Sequence, residues 1–296
     1  YMANSAELDY RREHFKTTLQ PLSFGRESLA PALINTIWDF HHKCWWPLTG
    51  EHKIATYGNA NCYEQFFTMP YVDVPMTEFD WDPQHPGRLD RYMRATAYQK
   101  IWRHWHAWGK TGGYGDEDPD NVRRDLARSL ACAVYPAVYC IQVTAQNLDD
   151  YRGLYRQYVP AIEELSIAGW EPVPSARADN DIVVERFGSY AQGELHFTLR
   201  NYTDEPKTAT LSLETEALGI PAGTELLCRD ILPGTPVFSP VTDGRIQLEI
   251  APQGARALWV GTRQQAGRLG LRLAGRTLDT VKRLFSSELG KEAGVS

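Results

Sequence analysis

Two carboxylic acids, Asp73 and Glu78, are the residues best placed for acid–base chemistry. They flank the short apolar run Val74-Pro75-Met76, just ahead of a helical pattern that begins near Arg88. In a barrel, side chains at the C-terminal end of a strand project into the active-site mouth. Glycoside hydrolysis needs one protonated and one ionised carboxyl group. We therefore predict Asp73 and Glu78 as catalytic residues; the alternative is that Asp73 only ends a strand.

Indole and amide side chains near these acids indicate a sugar-binding surface. Trp81 follows Glu78 closely, Trp45 and Trp46 stand in a stretch that is too polar for a core, and Asn61 and Glu64 come shortly after. Indole faces stack on the C–H faces of pyranose rings, and polar groups bind the hydroxyls. We predict these five residues as substrate-binding. The alternative for Trp45 and Trp46 is that they close a gap against the barrel.

Asn4 is a further predicted substrate-binding residue, and a metal site is not predicted. Asn4 follows what reads as the tail of a strand, where an amide binds a hydroxyl or orients a carboxylate, although Asn is also an ordinary turn residue. His41, His42, Cys44 and His52 are ligand types. However, adjacent histidines do not easily share one face, and no H-E-x-x-H spacing appears.

The sequence gives no support for cofactor binding or for nucleic-acid binding. The chain has no G-x-G-x-x-G, no phosphate-binding G-x-x-x-x-G-K-[ST] and no G-x-S-x-G elbow. Its net charge of -6 and pI near 5.8 do not attract nucleic acid. The five cysteines are odd in number and scattered, which predicts reduced thiols. We predict no cofactor and a neutral partner, a carbohydrate.

Neither a membrane span nor a location in the cell is predicted. Charged residues or histidine interrupt every long apolar run, so no segment of eighteen apolar residues exists. The opening residues Tyr1–Ser5 lack the features of a secretory signal. Because Tyr1 reads at once like the end of a strand, we expect a piece of a longer product.

Residues 1–178 alternate helical patterns with short apolar runs, which predicts a parallel α/β arrangement. Their length of about 178 residues is short of the ~250 typical of an eight-unit barrel, so we expect the C-terminal part of a (β/α)8-type (TIM-like) barrel. Three helices are predicted, with a buried strand or wall loop at Tyr135–Ile141 between the last two: Arg88–Trp108 ending at Gly109, Asn121–Val134, and Leu148–Ala168 closed by Gly169.

Residues 181–262 alternate apolar and polar positions between turn signals, which predicts an antiparallel β-sandwich. Predicted strands include Ile182–Phe187, Glu194–Arg200, Thr208–Glu214, Thr224–Arg229, Arg245–Ile250 and Ala255–Val260. Residues 264–296 place leucines among Arg and Lys and predict a C-terminal helical tail. A helix with such a row of leucines more commonly packs on a neighbouring domain. The alternative is that it binds a membrane surface.

Three stretches resemble the end of bacterial glycoside-hydrolase-like proteins, in which a barrel is followed by a β-sandwich. They are Asp73–Glu78, Tyr92–Lys100 and Ala168–Val173 running into Val184–Gly188. The resemblance covers most of residues 66–262, whereas residues 11–63 have no counterpart. It implies a retaining or inverting hydrolase acting on O-glycosidic bonds, and packing against an N-terminal barrel segment that this chain lacks.

Two other functions compete with hydrolysis. A noncatalytic carbohydrate-binding or scaffold protein would keep the aromatic cleft without the acid pair. Carboxyl oxygens of Asp73 and Glu78 within roughly 5–10 Å of each other would favour hydrolysis. A protein-interaction module would instead use the sandwich and the basic tail, and an apolar patch exposed on residues 269–285 would favour it.

Overall fold

The computed structural model describes residues 22–24, 31–33, 46–52, 55–59, 69, 71–78, 88–106, 119–138, 145–232 and 238–268. Contacts divide the chain into two compact units. The first unit comprises Tyr1–Asp125 and Cys132–Arg152, and the second comprises Leu126–Ala131 and Gly153–Ser296.

The first unit contains a parallel four-stranded sheet in the order β3-β4-β5-β6. Its strands are β3 (Tyr57–Asn59), β4 (Val74–Glu78), β5 (Trp102–His106) and β6 (Val134–Val138). Helix α2 (Arg88–Ala97) lies between β4 and β5 in the chain, and helix α3 (Pro119–Ala131) lies between β5 and β6. Parallel neighbours need such crossovers, so β4, β5 and β6 with their two helices form two successive βαβ units.

Three further elements lie N-terminal to this sheet. Strands β1 (Leu22–Phe24) and β2 (Pro31–Leu33) pair antiparallel, and helix α1 spans Trp46–His52.

The predicted helix Arg88–Trp108 is wrong beyond Ala97. The backbone leaves the helix at Tyr98, whose φ is 49°, and resumes as strand β5. The guanidinium of Arg94, which is 2% exposed, donates to the carbonyl oxygens of Tyr98 and, at 2.8 Å, of Lys100. These bonds satisfy carbonyls that the helix end leaves without partners, so the turn is stable without glycine.

The second unit holds two antiparallel sheets around one core. The six-stranded sheet has the order β13-β12-β15-β10-β9-β7, and the three-stranded sheet has the order β14-β11-β8. The strands are β7 (Trp170–Glu171), β8 (Ala176–Ala178), β9 (Val183–Phe187), β10 (Leu195–Arg200), β11 (Lys207–Leu213), β12 (Leu226–Asp230), β13 (Phe238–Val241), β14 (Arg245–Ile250) and β15 (Ala255–Gly261). Their inward residues form a single hydrophobic cluster that includes Phe197, Leu211 and Ile246.

Strand β10 is buried on both faces. Leu195, Phe197 and Leu199 belong to the core between the sheets. His196 and Thr198 alternate with them, and their bonds are to helix α4 (Ala145–Ala168) and to the last residue of α3, Ala131. The alternation of apolar and polar residues along β10 would by itself predict that the polar face of the strand lies in solvent. In this structure, helices cover that face.

The division between the units falls inside α4 rather than near residue 178. The C-terminal half of this helix is bonded to the six-stranded sheet, where the Glu164 carboxylate accepts from both His196 and Arg229. Helix α4 ends at Gly169, whose φ of 85° and N–H bond to Leu165 O form the expected C-cap.

Only the first turns of the predicted C-terminal helix lie within the described residues, at 263–268. Thr262 and Gln265 begin it with reciprocal bonds: the Thr262 N–H donates to Gln265 Oε1 at 2.8 Å, and the Gln265 N–H donates to Thr262 Oγ1 at 3.3 Å. This is the arrangement of a capping box. Residues 269–296 lie outside the described residues.

Candidate functional site

The carboxyl ends of the parallel strands meet at one edge of the sheet in the first unit. The last residues of β3, β4, β5 and β6 are Asn59, Glu78, His106 and Val138, and we call these four residues, together with Trp105, the carboxyl edge. Glu78 is in register with Trp105, and His106 is in register with Val138. Neighbouring strands lie about 4.8 Å apart. An acid, an indole-bearing residue and a histidine therefore occupy adjacent backbone positions.

Asp73 lies at the opposite end of β4, before its first residue. Its carboxylate Oδ2 accepts from the Thr56 N–H at 2.7 Å and from the Thr56 hydroxyl at 2.9 Å. The Asp73 N–H donates in return to Thr56 Oγ1 at 2.8 Å, and the Val74 N–H donates to Thr56 O at 2.9 Å. These reciprocal bonds tie the starts of β3 and β4 together.

A half-buried lysine, Lys100, completes this amino-terminal end of the sheet. Lys100 Nζ donates to Met69 O at 2.5 Å and to Val72 O at 2.6 Å. Burial lowers the pKa of the Lys100 amine from its ordinary 10.5, and the nearby Asp73 carboxylate opposes that shift. The amine joins the turn before β4 to the segment before β5, so its role here is structural.

The expectation that Asp73 lies at the C-terminal end of a strand is wrong. The apolar run that precedes it, with Met69 and Val72 both buried, forms a turn rather than a strand. Five residues of extended chain separate Asp73 from Glu78, which corresponds to about 16 Å. Carboxyl pairs in glycosidases stand roughly 5–10 Å apart. The backbone therefore does not bring these two acids to one site.

The structure places one of the predicted sugar-binding residues. Trp46 is the first residue of α1. The other five predicted residues lie outside the described part of the chain: Asn4, Trp45, Asn61, Glu64 and Trp81.

Trp105 and His106 of the carboxyl edge were both predicted to lie in the helix Arg88–Trp108, and neither was predicted to be a functional residue. The signal that was present is the alternation of Trp102, His104 and His106 at a spacing of two, which is typical of a strand. Trp102 and His104 are 0% and 1% exposed, as a central strand of a covered sheet requires.

Neither a metal cluster nor a membrane-crossing helix is found among the residues that the structure describes. No three of their His, Cys, Asp and Glu side chains come together in a way that could hold an ion. None of their helices is both long enough and apolar enough to cross a bilayer.

The solved structures similar to this chain include several glycoside hydrolases. A GH27 β-L-arabinopyranosidase from Geobacillus stearothermophilus matches with a TM-score of 0.38 and 11% identity, over 67% of this chain and 60% of that one. A GH30 endoxylanase from Clostridium papyrosolvens matches with a TM-score of 0.38 and 10% identity, over 76% and 59%. A maltogenic α-amylase from Thermotoga neapolitana matches with a TM-score of 0.43 and 10% identity, over 75% and 58%.

The chain spans about three fifths of the length of these three structures. No family model matches the sequence, and no curated protein sequence matches it. At such identities and TM-scores the likeness assigns neither a family nor an activity.

Proposed function

We propose that this chain is part of a glycoside hydrolase-like enzyme that acts on O-glycosidic bonds of a carbohydrate. In this proposal β3–β6 are consecutive strands of a (β/α)8-type barrel, and the two antiparallel sheets form its accessory sandwich. The observation that supports it is the carboxyl edge, where Glu78 and Trp105 are in register on neighbouring parallel strands. Catalytic residues of such barrels come from the carboxyl ends of several strands.

Glu78 is the proposed catalytic acid. A glutamate at this edge either protonates the leaving oxygen of the scissile bond or acts as the nucleophile or base on the other side of the sugar ring. The second carboxyl group is supplied from outside the described residues. Asp73 is proposed as a structural residue that fixes the start of β4 through Thr56.

The aromatic residues have a matching proposed role. Trp105, beside Glu78 in the sheet, and Trp45, Trp46 and Trp81 would present indole faces to the sugar ring, while Asn4, Asn61 and Glu64 would bind hydroxyls. No cofactor and no metal ion enter this mechanism, because the proton and nucleophile chemistry of glycoside hydrolysis needs only carboxyl groups.

Replacing Glu78 by Gln is the test of this proposal. We expect turnover of 4-nitrophenyl α- or β-glycosides, assayed as a panel, to fall by about 10²–10⁴-fold, the contribution of a positioned proton-transfer group. Asp73→Asn is the matched control from the other end of the same strand. It should retain turnover per folded molecule while its melting temperature falls, because only the Thr56 contacts change.

The opposite pattern would overturn the assignment. Full activity in Glu78→Gln together with lost activity in a folded Asp73→Asn would place the chemistry at the amino-terminal end of β4. Absence of turnover from the unmodified chain on every glycoside, with a cooperative unfolding transition, would favour the second candidate, a noncatalytic carbohydrate-binding or scaffold protein. The observation that favours it is that one of the two predicted acids is away from the carboxyl edge.

A further inference from the structure

The second unit contains a cleft of its own, between the outer strands of its two sheets. Its volume is about 680 Å³, and residues from β11 to β15 line it. Strand β13 is the outer strand of the six-stranded sheet and β14 is the outer strand of the three-stranded sheet. The volume lies within the ~300–1,000 Å³ of small-molecule sites. None of the predicted catalytic or sugar-binding residues contributes to this cleft.

One charged pair in the cleft, Arg256 and Asp230, makes several hydrogen bonds. Arg256 on β15 donates to Asp230 on β12, and at 3.3 Å to the carbonyl oxygen of Glu249 on β14. The other Asp230 oxygen accepts from the Leu232 N–H at 2.9 Å. Arg256 therefore bonds to both sheets, on the side of the cleft.

The rim carries polar side chains that are free to bind. Arg245 and Gln247 on β14 are exposed, and their side chains make no hydrogen bond to any residue in the described part of the chain. The tight turn Asp243-Gly244, with φ values of 50° and 68°, fixes the position of Asp243 beside them. Ser239 and Thr242 add hydroxyl groups on the facing side.

The floor is apolar. Cys228, Ile246 and Leu258 form it, and burial raises the pKa of the Cys228 thiol from its ordinary 9.0, which keeps the thiol neutral. Pro240 and Leu248 extend this apolar surface toward the rim.

The composition of the lining selects among ligand classes. Its two aspartates and two arginines sum to no net formal charge, so neither an anion nor a cation is favoured. An apolar ligand would bury the polar rim without partners, which is costly. A neutral polyhydroxylated ligand matches, because its hydroxyls donate to carboxylates, accept from guanidinium and amide groups, and leave C–H faces for the apolar floor.

We propose that this cleft binds a neutral oligosaccharide of two or three sugar units, as a site separate from the carboxyl edge. The choice of a saccharide as the ligand rests on the proposed function. That the ligand is neutral and polyhydroxylated is argued from the residues of the cleft alone. The site would hold a carbohydrate chain on the second unit without cleaving it.

The test is calorimetric titration of the full chain carrying Glu78→Gln, so that turnover does not consume the ligand. The probes are xylotriose, maltotriose and galactobiose at up to about 10 mM, where a millimolar site is nearly saturated. Adding Arg245→Ala and Gln247→Ala should weaken binding by roughly four- to a hundredfold, since each hydrogen bond contributes a factor of roughly two to ten. Both side chains are exposed, so the fold should be unaffected.

The matched control is Arg177→Ala, on β8 at the other outer position of the same three-stranded sheet, with its side chain 84% exposed. It should leave binding unchanged. The proposal is overturned if none of the three probes binds, or if the double substitution leaves binding intact. It is equally overturned if trigalacturonate binds more tightly than the neutral probes and loses affinity with salt, because an anion site would behave in that way. Hydrolysis by the unmodified chain is measured separately, so failure of the proposed enzyme activity and failure of this site are distinguishable.

Discussion

Glu164 binds two almost fully buried side chains of the second unit, those of Arg229 and His196. Its Oε1 accepts from Arg229 Nη2 at 2.6 Å and lies 2.9 Å from His196 Nε2. The side chains of Arg229 and His196 are 4% and 2% exposed, and that of Glu164 is 11% exposed. His196 Nδ1 faces Glu194 O at 2.8 Å, so each ring nitrogen lies beside an oxygen atom. One carboxylate thus joins a helix to two strands.

Replacing Glu164 by Gln should destabilise the second unit by about 3–5 kcal/mol, because removing one partner of a buried ion pair leaves the other charge uncompensated. The measurement is the free energy of unfolding in urea. Glu163→Gln, at the exposed neighbouring position on the same helix, is the control and should change it by less than about 0.5 kcal/mol. Equal effects of the two substitutions would show that the Glu164 contacts contribute nothing.

Lys100 makes the stability of the first unit depend on pH, and the direction of its pKa shift gives the sign of that dependence. Since its folded-state pKa is below the unfolded value of 10.5, the unfolded chain binds more protons between those two values. Stability contributed by this group therefore rises with pH through that window. The neutral amine keeps two N–H donors for Met69 O and Val72 O.

The variant Lys100→Met leaves those two carbonyl oxygens without their donor and should lower stability by about 1–3 kcal/mol. The difference in free energy of unfolding between the unmodified chain and the variant should widen from neutral pH toward pH about 10, since only the lysine sheds its charge. A difference that stays constant or narrows over that range would contradict the assignment of burial as the cause.

At the level of single residues, the position of Glu78 could be predicted and that of Asp73 could not. Apolar side chains before an acid indicate a strand that ends at the acid, but Met69 and Val72 are buried in a turn instead. Their carbonyl oxygens are satisfied by Lys100, about thirty positions further along the chain. Because the contacting residues are so far apart in the sequence, no local sequence pattern indicates the contact.

Among the elements, the end of helix α2 shows where periodicity misleads. Residues 97–106 continue to show apolar side chains three and four apart, and no glycine or proline interrupts them. The helix nevertheless ends at Ala97, because Arg94 binds the turn carbonyls and its guanidinium packs over Trp102, 5.8 Å from the ring centroid. A tertiary contact thus outweighs helix propensity, which is a weak prior.

The strands of the second unit were easier to predict. Turn residues at Gly193 and Asp243-Gly244, all with positive φ, separate runs that alternate apolar and polar positions. Strands β9 to β12, β14 and β15 begin and end within two residues of the predicted bounds. Strands β7, β8 and β13 were missed. Two or three residues are too few for a pattern in β7 and β8, and β13 contains Pro240.

At the scale of the molecule, the second unit should require helix α4 to fold. A fragment of residues 145–268 keeps Glu164 and Trp170, whose indole N–H donates to Glu185 at 2.9 Å, whereas a fragment of residues 179–268 loses both. We expect a cooperative thermal transition by circular dichroism from the longer fragment. The shorter fragment should show a transition that is much lower or absent, because the outer face of the six-stranded sheet is then uncovered. Equal melting temperatures would place the folding boundary near residue 178.

Four strands lie at the outer edges of the two sheets, and each has a feature that discourages pairing with another molecule. Strand β13 contains Pro240, which has no N–H to donate, and β14 presents Arg245 and Glu249. Strands β7 and β8, at the other edges, have only two and three residues. Proline, charge and shortness are the devices by which β-proteins resist edge-to-edge aggregation. Pro240 and Arg245, which also line the cleft, thus help to keep the second unit from polymerising through its sheets at high concentration.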